Sequence, residues 1–166
     1  VNKQFYESWL PYVLTIVRRY GVHEADQKDL VQDIFLQLFR KYDRYDAAKG
    51  ELRPWLRSVV VSQVIDHLRG RHRFQTEDLD ILAGREPSVV SDLQHLEAEY
   101  LVDLISGLPV GFRTVFNLHV VEGYSHQEIA DRLGITPAGS RSQLSRAKVI
   151  LRRHLSKLVT LSYALF

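Results

Sequence analysis

Residues 125–148 read SHQEIADRLGITPAGSRSQLSRAK, a helix, a short turn and a second helix, each with its own start signal. Ser125 followed by Glu128 is a capping box, in which each side chain satisfies a backbone N–H left free at the helix start. Ile129, Ala130 and Leu133 give the first helix a buried face. Gly134 ends it, as a residue able to take the left-handed conformation should. Thr136 caps the next helix, and Pro137 takes its first position, where a missing N–H costs nothing. Two helices joined by so short a turn are the frame of a DNA-binding helix-turn-helix.

The second helix has two faces. Leu144, Ala147, Leu151, Leu155 and Leu158 repeat at spacings of three and four, a continuous apolar stripe. Arg141, Ser142, Ser145, Arg146, Lys148, Arg152 and Arg153 fall on the other side. A basic helix of this kind fits the major groove, where Arg reads guanine edges and grips phosphate. Gly139 lies inside the first turn, where glycine costs about 1 kcal/mol against alanine, so a soft first turn is expected.

Outward from this stretch, helical periodicity dominates the 166 residues and strand-like alternation is nearly absent. FYESWLPYVLTIVRRYG ends at Gly21, and a second helix puts Leu30, Val31, Ile34, Phe35 and Leu38 on one broad face. Pro54 suits the first turn of a third helix running to about Arg69. Residues 74–92 mix Gly84, Pro87, Ser88 and Ser91 with acids and read as a linker. The expected architecture is all-α, with two small helical domains over 1–73 and 93–166 joined by that acidic linker. Charge follows the same division: net +4 over 1–73, −7 over 74–103 and +5 over 104–166, with no acid after Asp131. Two basic blocks flanking an acidic joint favour a polyanionic partner, of which nucleic acid is the usual one.

Other function classes find little support. The chain has no cysteine, so no disulfide or thiolate metal site is expected, in keeping with a reducing cytoplasm. The seven histidines show no HExxH or zinc-finger spacing, and no catalytic constellation stands out, so neither enzyme chemistry, a metal nor a cofactor is expected. No run approaches the roughly 18 apolar residues of a membrane span, and the start lacks signal-peptide form. The absence of methionine suggests a trimmed or processed chain.

LPVGFRTVFNLHVVEGYSHQEIADRLGITPAGSRSQLSRAK resembles region 4 of bacterial RNA polymerase sigma factors, particularly the extracytoplasmic-function group. The resemblance implies that Arg141, Ser142 and Arg146 read the minus-35 promoter element, with Gln143, Lys148 and His126 on phosphates. Ala138, Gly139, Ser140 and Gln143 depart from the usual pattern, so base preference does not carry over directly. DLVQDIFLQLFRKYDRYDAAKGELRPWLRSVVVSQVIDHLRGRHR resembles sigma region 2. By that resemblance Asp29, Leu30, Gln32, Asp33 and Gln37 bind the clamp coiled coil of the polymerase largest subunit. Tyr45, Asp46, Lys49, Trp55, Ser62 and Asp66 then meet the minus-10 element, and the loop from Tyr45 to Leu52 holds an extruded base. Arg69, Arg71 and Arg73 grip phosphate. Ser62 stands where asparagine is usual and lacks its paired amide donor and acceptor.

The implied function is a cytoplasmic sigma factor that binds core polymerase and promoter DNA and initiates transcription. An anti-sigma protein is a further implied partner, and the apolar ending LSKLVTLSYALF is either its docking surface or the packed end of the last helix. A dimeric helix-turn-helix regulator is the alternative, but leaves the region 2 resemblance without a role. A sigma-like decoy acting through protein partners is the other.

Overall fold

A computed structural model describes residues 3–71, 74 and 96–164, with backbone alone for 96–100 and 157–164. All regular structure among them is helical. The elements are α1 (Lys3–Arg19), α2 (Glu24–Tyr42), α3 (Leu52–Arg71), α4 (Leu96–Ser106), α5 (Val110–Phe116), a π-helical turn (Asn117–Val121), α6 (His126–Leu133) and α7 (Pro137–Ala164). The chain divides into two compact units, 1–72 and 73–166. The linker stretch 75–92, Arg73, His72 and His95 lie outside the described residues.

The first unit is a three-helix bundle. Periodic apolar residues bury one stripe of each helix: Val13, Ile16 and Val17 from α1, Val31, Ile34, Phe35 and Leu38 from α2, and Leu56, Val60, Val61, Val64 and Leu68 from α3. Burying each of these side chains contributes roughly 1.5–3 kcal/mol. The ends of α2 suit the helix dipole, with Glu24 and Asp26 in the first turn and Arg40 and Lys41 in the last. His23 Nδ1 accepts from Ala25 N at 3.4 Å as a weak cap. Aromatic rings then carry the packing to one end of the bundle. Phe5 of α1 meets Tyr42 of α2 edge-on at 5.5 Å, and Tyr42 meets Trp55 of α3 at 6.3 Å.

In the second unit α5 and α6 both pack on α7. Leu104, Leu108, Ala147 and Leu151 form a core cluster, with Ile105, Phe112, Phe116 and Ile150 against it. Arg113 ties the end of α4 to α5 by donating from Nη1 to the carbonyls of Leu108, at 3.0 Å, and Ser106. Burial lowers its pKa to about 10, which leaves the guanidinium charged at neutral pH. The apolar stripe of α7 is narrower than its sequence suggests. Leu144, Ala147 and Leu151 are buried, but Leu155 is 39% exposed, and the Leu158 side chain lies outside the description.

Candidate nucleic-acid interface

The helix-turn-helix forms by its start and stop signals. Ser125 Oγ accepts from Glu128 N at 3.2 Å, while Ser125 N and Oγ both donate to Glu128 Oε2 at 2.8 Å. These bonds from Ser125, backbone first, lower the Glu128 pKa below its usual value. Gly134 takes φ 68° and sends its N–H to Ala130 O, closing α6. Thr136 Oγ1 accepts from Gly139 N at 3.0 Å and so caps α7. That cap explains Gly139: a Cβ there would lie 3.2 Å from Thr136 Oγ1. The glycine makes room for the capping oxygen.

On α7 Arg141, Ser145, Lys148, Arg152 and Arg153 are exposed, and Ser142 and Arg146 are half-buried. These residues form a basic face opposite Leu144, Ala147 and Leu151. Gln143 moves to the other side. It is 5% exposed, its Nε2 donates to Phe74 O at 3.3 Å, and its Oε1 lies 2.8 Å from where a Cβ on Gly111 would stand. Gln143 and Ala147 are four apart, on one face of the helix, so the expected phosphate contact of Gln143 is replaced by a packing role. Ser140 is likewise buried, and its hydroxyl lies 2.9 Å from Nδ1 of His126 at the start of α6. His126 stacks on His119 of the π-helical turn, centroids 4.4 Å apart and planes 12° apart. Single π turns inside helices recur at functional sites, and this one carries His119 to the helix-turn-helix. Nothing next to His119 in the sequence signals this stacking.

In the first unit the structure gathers the loop residues into an open pocket of about 360 Å³, lined by Arg44, Tyr45, Asp46, Lys49, Gly50, Glu51, Pro54 and Trp55. Trp55 and Tyr45 form an aromatic wall with centroids 5.3 Å apart. The Tyr45 hydroxyl donates to Gly50 O at 2.9 Å, and Asp46 Oδ1 accepts from Ala48 N at 3.0 Å, so the loop is braced from both ends. Lys49 and Asp46 pair at 3.7 Å in an exposed setting, worth little to stability. Such a pocket offers aromatic faces, tilted 46° to each other, to a ring and polar groups of both signs to its edge. Arg44 and Pro54 also line the pocket, a part that the sequence does not signal because it depends on the turn that the loop takes.

Along α3, Ser62 is half-buried, and Asp66 and Arg69 are exposed, outside the core. Arg71 is committed elsewhere. Its Nη1 and Nη2 reach the Asp26 carboxylate at 2.7 and 2.8 Å, a bidentate pair joining the end of α3 to the start of α2. The expected phosphate contact of Arg71 thus competes with this pair. On α2, Asp29, Gln32 and Asp33 are exposed and Gln37 half-buried. Leu30 is 5% exposed and belongs to the bundle core, so it offers no docking surface. Leu36, 51% exposed, stands on the same edge as Asp29, Gln32 and Asp33 and leaves an apolar side chain uncovered there. Among the described residues no group of three or more His, Cys, Asp or Glu could hold a metal. No described helix is long and apolar enough to cross a membrane.

The two units correspond to two family models. Residues 5–74 match Sigma-70 region 2 and residues 98–151 match Sigma-70, region 4. The ECF RNA polymerase sigma factor SigE of Mycolicibacterium smegmatis is 28% identical over 152 residues, covering 87% of this chain and 58% of SigE. The probable RNA polymerase sigma factor RfaY of Xanthomonas campestris is 31% identical over 138 residues, covering 79% of this chain and 34% of RfaY. The RNA polymerase sigma factor NccH of Alcaligenes xylosoxydans is 28% identical over 141 residues, 81% of this chain and 75% of NccH. The chain therefore spans little more than half of SigE and about a third of RfaY. With region 2 and region 4 matched in order, the chain belongs to the sigma-70 family of RNA polymerase sigma factors, in its extracytoplasmic-function group.

Proposed function

We propose that the chain acts as a sigma factor: it binds core RNA polymerase, engages a promoter through both units, and starts transcription without enzymatic activity of its own. The observation that carries this reading is the pairing, in one chain, of a braced aromatic pocket in the region 2 unit with a basic helix-turn-helix in the region 4 unit. A base pulled from an opening duplex loses its stacking, and the Tyr45–Trp55 wall replaces it; one stacked base is worth roughly 1–3 kcal/mol. Arg141, Ser142 and Arg146 on α7 serve the upstream element, with Lys148 and His126 on its phosphates. Asp46, Lys49, Ser62, Asp66 and Arg69 serve the downstream one. Asp29, Gln32, Asp33, Leu36 and Gln37 form the edge for the polymerase clamp. A protein with this role acts in the cytoplasm. The anti-sigma surface expected on the apolar ending falls on side chains 157–166, outside the described residues.

The test is transcription in vitro with purified core polymerase and a genomic promoter library. Transcripts from a discrete promoter set that require this chain support the reading. Failure to bind core, together with operator binding as a dimer, replaces it with a helix-turn-helix regulator.

A further inference from the structure

The stacked imidazoles of His119 and His126 sit where α6 meets α7. His119 Nδ1 lies 2.9 Å from Tyr124 O, so it carries the proton and donates it to that carbonyl. His126 Nδ1 faces the buried Ser140 hydroxyl at 2.9 Å. A hydroxyl can donate to a neutral imidazole or accept from a charged one, so Ser140 suits both states. The charges acting on His126 are positive: His119 when protonated, from the π-helical turn, and Arg141 and Lys148 from α7. The nearby Glu128 carboxylate, on the same helix, is engaged by Ser125 N and Oγ.

We propose that His126 is a proton-coupled phosphate contact: neutral in the free protein, it becomes an imidazolium when a DNA phosphate docks beside Arg141 and Lys148. This inference rests on the DNA-binding reading of the region 4 unit and adds its regulation. The proton comes from solvent. In the bound state Nε2–H donates to the phosphate and Nδ1–H to Ser140 Oγ. Burial first, then His119, Arg141 and Lys148, hold the His126 pKa below its usual value in the free protein. A phosphate neutralises the two α7 cations and rewards the charged ring, so the pKa rises on binding. With the free value lowered and the bound value raised, affinity increases as pH falls between them. The gain reaches at most about tenfold per pH unit, for one proton taken up. Outside that window affinity is flat with respect to this group.

A phosphate contact carries no sequence information, so any duplex of about 20 base pairs serves as probe for the full chain at low salt. Affinity is followed by fluorescence anisotropy between about pH 5 and 8, the range in which histidine titrates. The wild type gains affinity as pH falls. His126→Asn loses most of that gain, and His119→Asn moves the rise to higher pH by removing the repelling partner. His154→Asn leaves the slope unchanged. NMR of the His126 ring in the wild type, with and without duplex, reads the same event without a substitution; its titration midpoint moves up with DNA. A midpoint unmoved by duplex, or equal slopes in wild type and His126→Asn, overturns the inference while leaving DNA binding intact. Absence of duplex binding at every pH removes the DNA-binding reading itself, and this inference with it.

Discussion

Replacing Leu30 and Leu36 separately by alanine distinguishes the inside of α2 from its docking edge. Leu30 is 5% exposed and packed among the α2 and α3 stripes. Its truncation removes buried methyl groups and leaves a cavity, at a cost of about 2–5 kcal/mol. Against a typical domain stability of about 5–15 kcal/mol this is a large fraction. In a unit of this size it lowers the melting temperature by roughly 10 °C or more. Leu36 is 51% exposed, so about half its surface remains to be covered by a partner. A fully buried leucine is worth roughly 1.5–3 kcal/mol, so docking gains about 1 kcal/mol there, a change of about fivefold in Kd. Its effect on folding stays within about 0.5 kcal/mol. Both tryptophans, Trp9 and Trp55, lie in the first unit, so their fluorescence reports its melting specifically. Binding is measured by competition for core polymerase at a temperature where both variants are folded. Leu30→Ala should melt early and bind core normally once folded; Leu36→Ala should do the reverse. Normal core binding by Leu36→Ala, with weakened binding by folded Leu30→Ala, would refute the assignment of this edge.

Four further substitutions test the same geometry. Tyr45→Phe keeps the stacking ring but removes the bond to Gly50 O, so promoter opening, read by permanganate reactivity, should fall severalfold while core binding is unchanged. Arg141→Ala should cost about 1–3 kcal/mol on the cognate upstream element and relax preference at one base. Arg152→Ala should weaken all sequences alike and reduce the salt slope by about one. Gly139→Ala gains about 1 kcal/mol of helix propensity, but its Cβ meets Thr136 Oγ1 at 3.2 Å and strains a cap worth about 1 kcal/mol. The net change in the melting temperature should therefore be near zero, and a clear rise would show that the cap yields without loss.

What could be read in the sequence was local. Ser125 with Glu128, Gly134, and Thr136 with Pro137 act within a few residues of one another, and the helix-turn-helix they specify forms as written. The apolar stripes of α2 and α3 are likewise periodic, and Val31, Ile34, Phe35, Leu38, Val60, Val61, Val64 and Leu68 are all buried. Expectation and structure part at the edges of stripes, where one helical position is about 100° from the next and the partner element decides which side is covered. Leu30 and Gln143 are such edge positions, and each is covered. Other features depend on residues far apart in the chain. Asp26 and Arg71 are 45 apart, and nothing near either one signals a bidentate pair. The arginine therefore read as a free cation, although its charge already serves the fold.

The same limit bears on function. His126 was legible as the start of the first helix of the helix-turn-helix, but its partner His119 lies across the loop, presented by a π-helical turn. Ser140 departs from the family pattern, and its hydroxyl is buried. A buried hydroxyl without a partner costs roughly 1–3 kcal/mol, so it needs a polar neighbour, and His126 Nδ1 at 2.9 Å is that neighbour. The serine and the histidine thus account for each other. Substituting Ser140 by alanine removes the bond without adding volume at a fully buried position, leaving His126 Nδ1 without a partner that can accept its proton in the charged state. Ser140→Ala should lower duplex affinity more at pH 6 than at pH 8. Equal losses at the two pH values would mean that the hydroxyl serves packing alone.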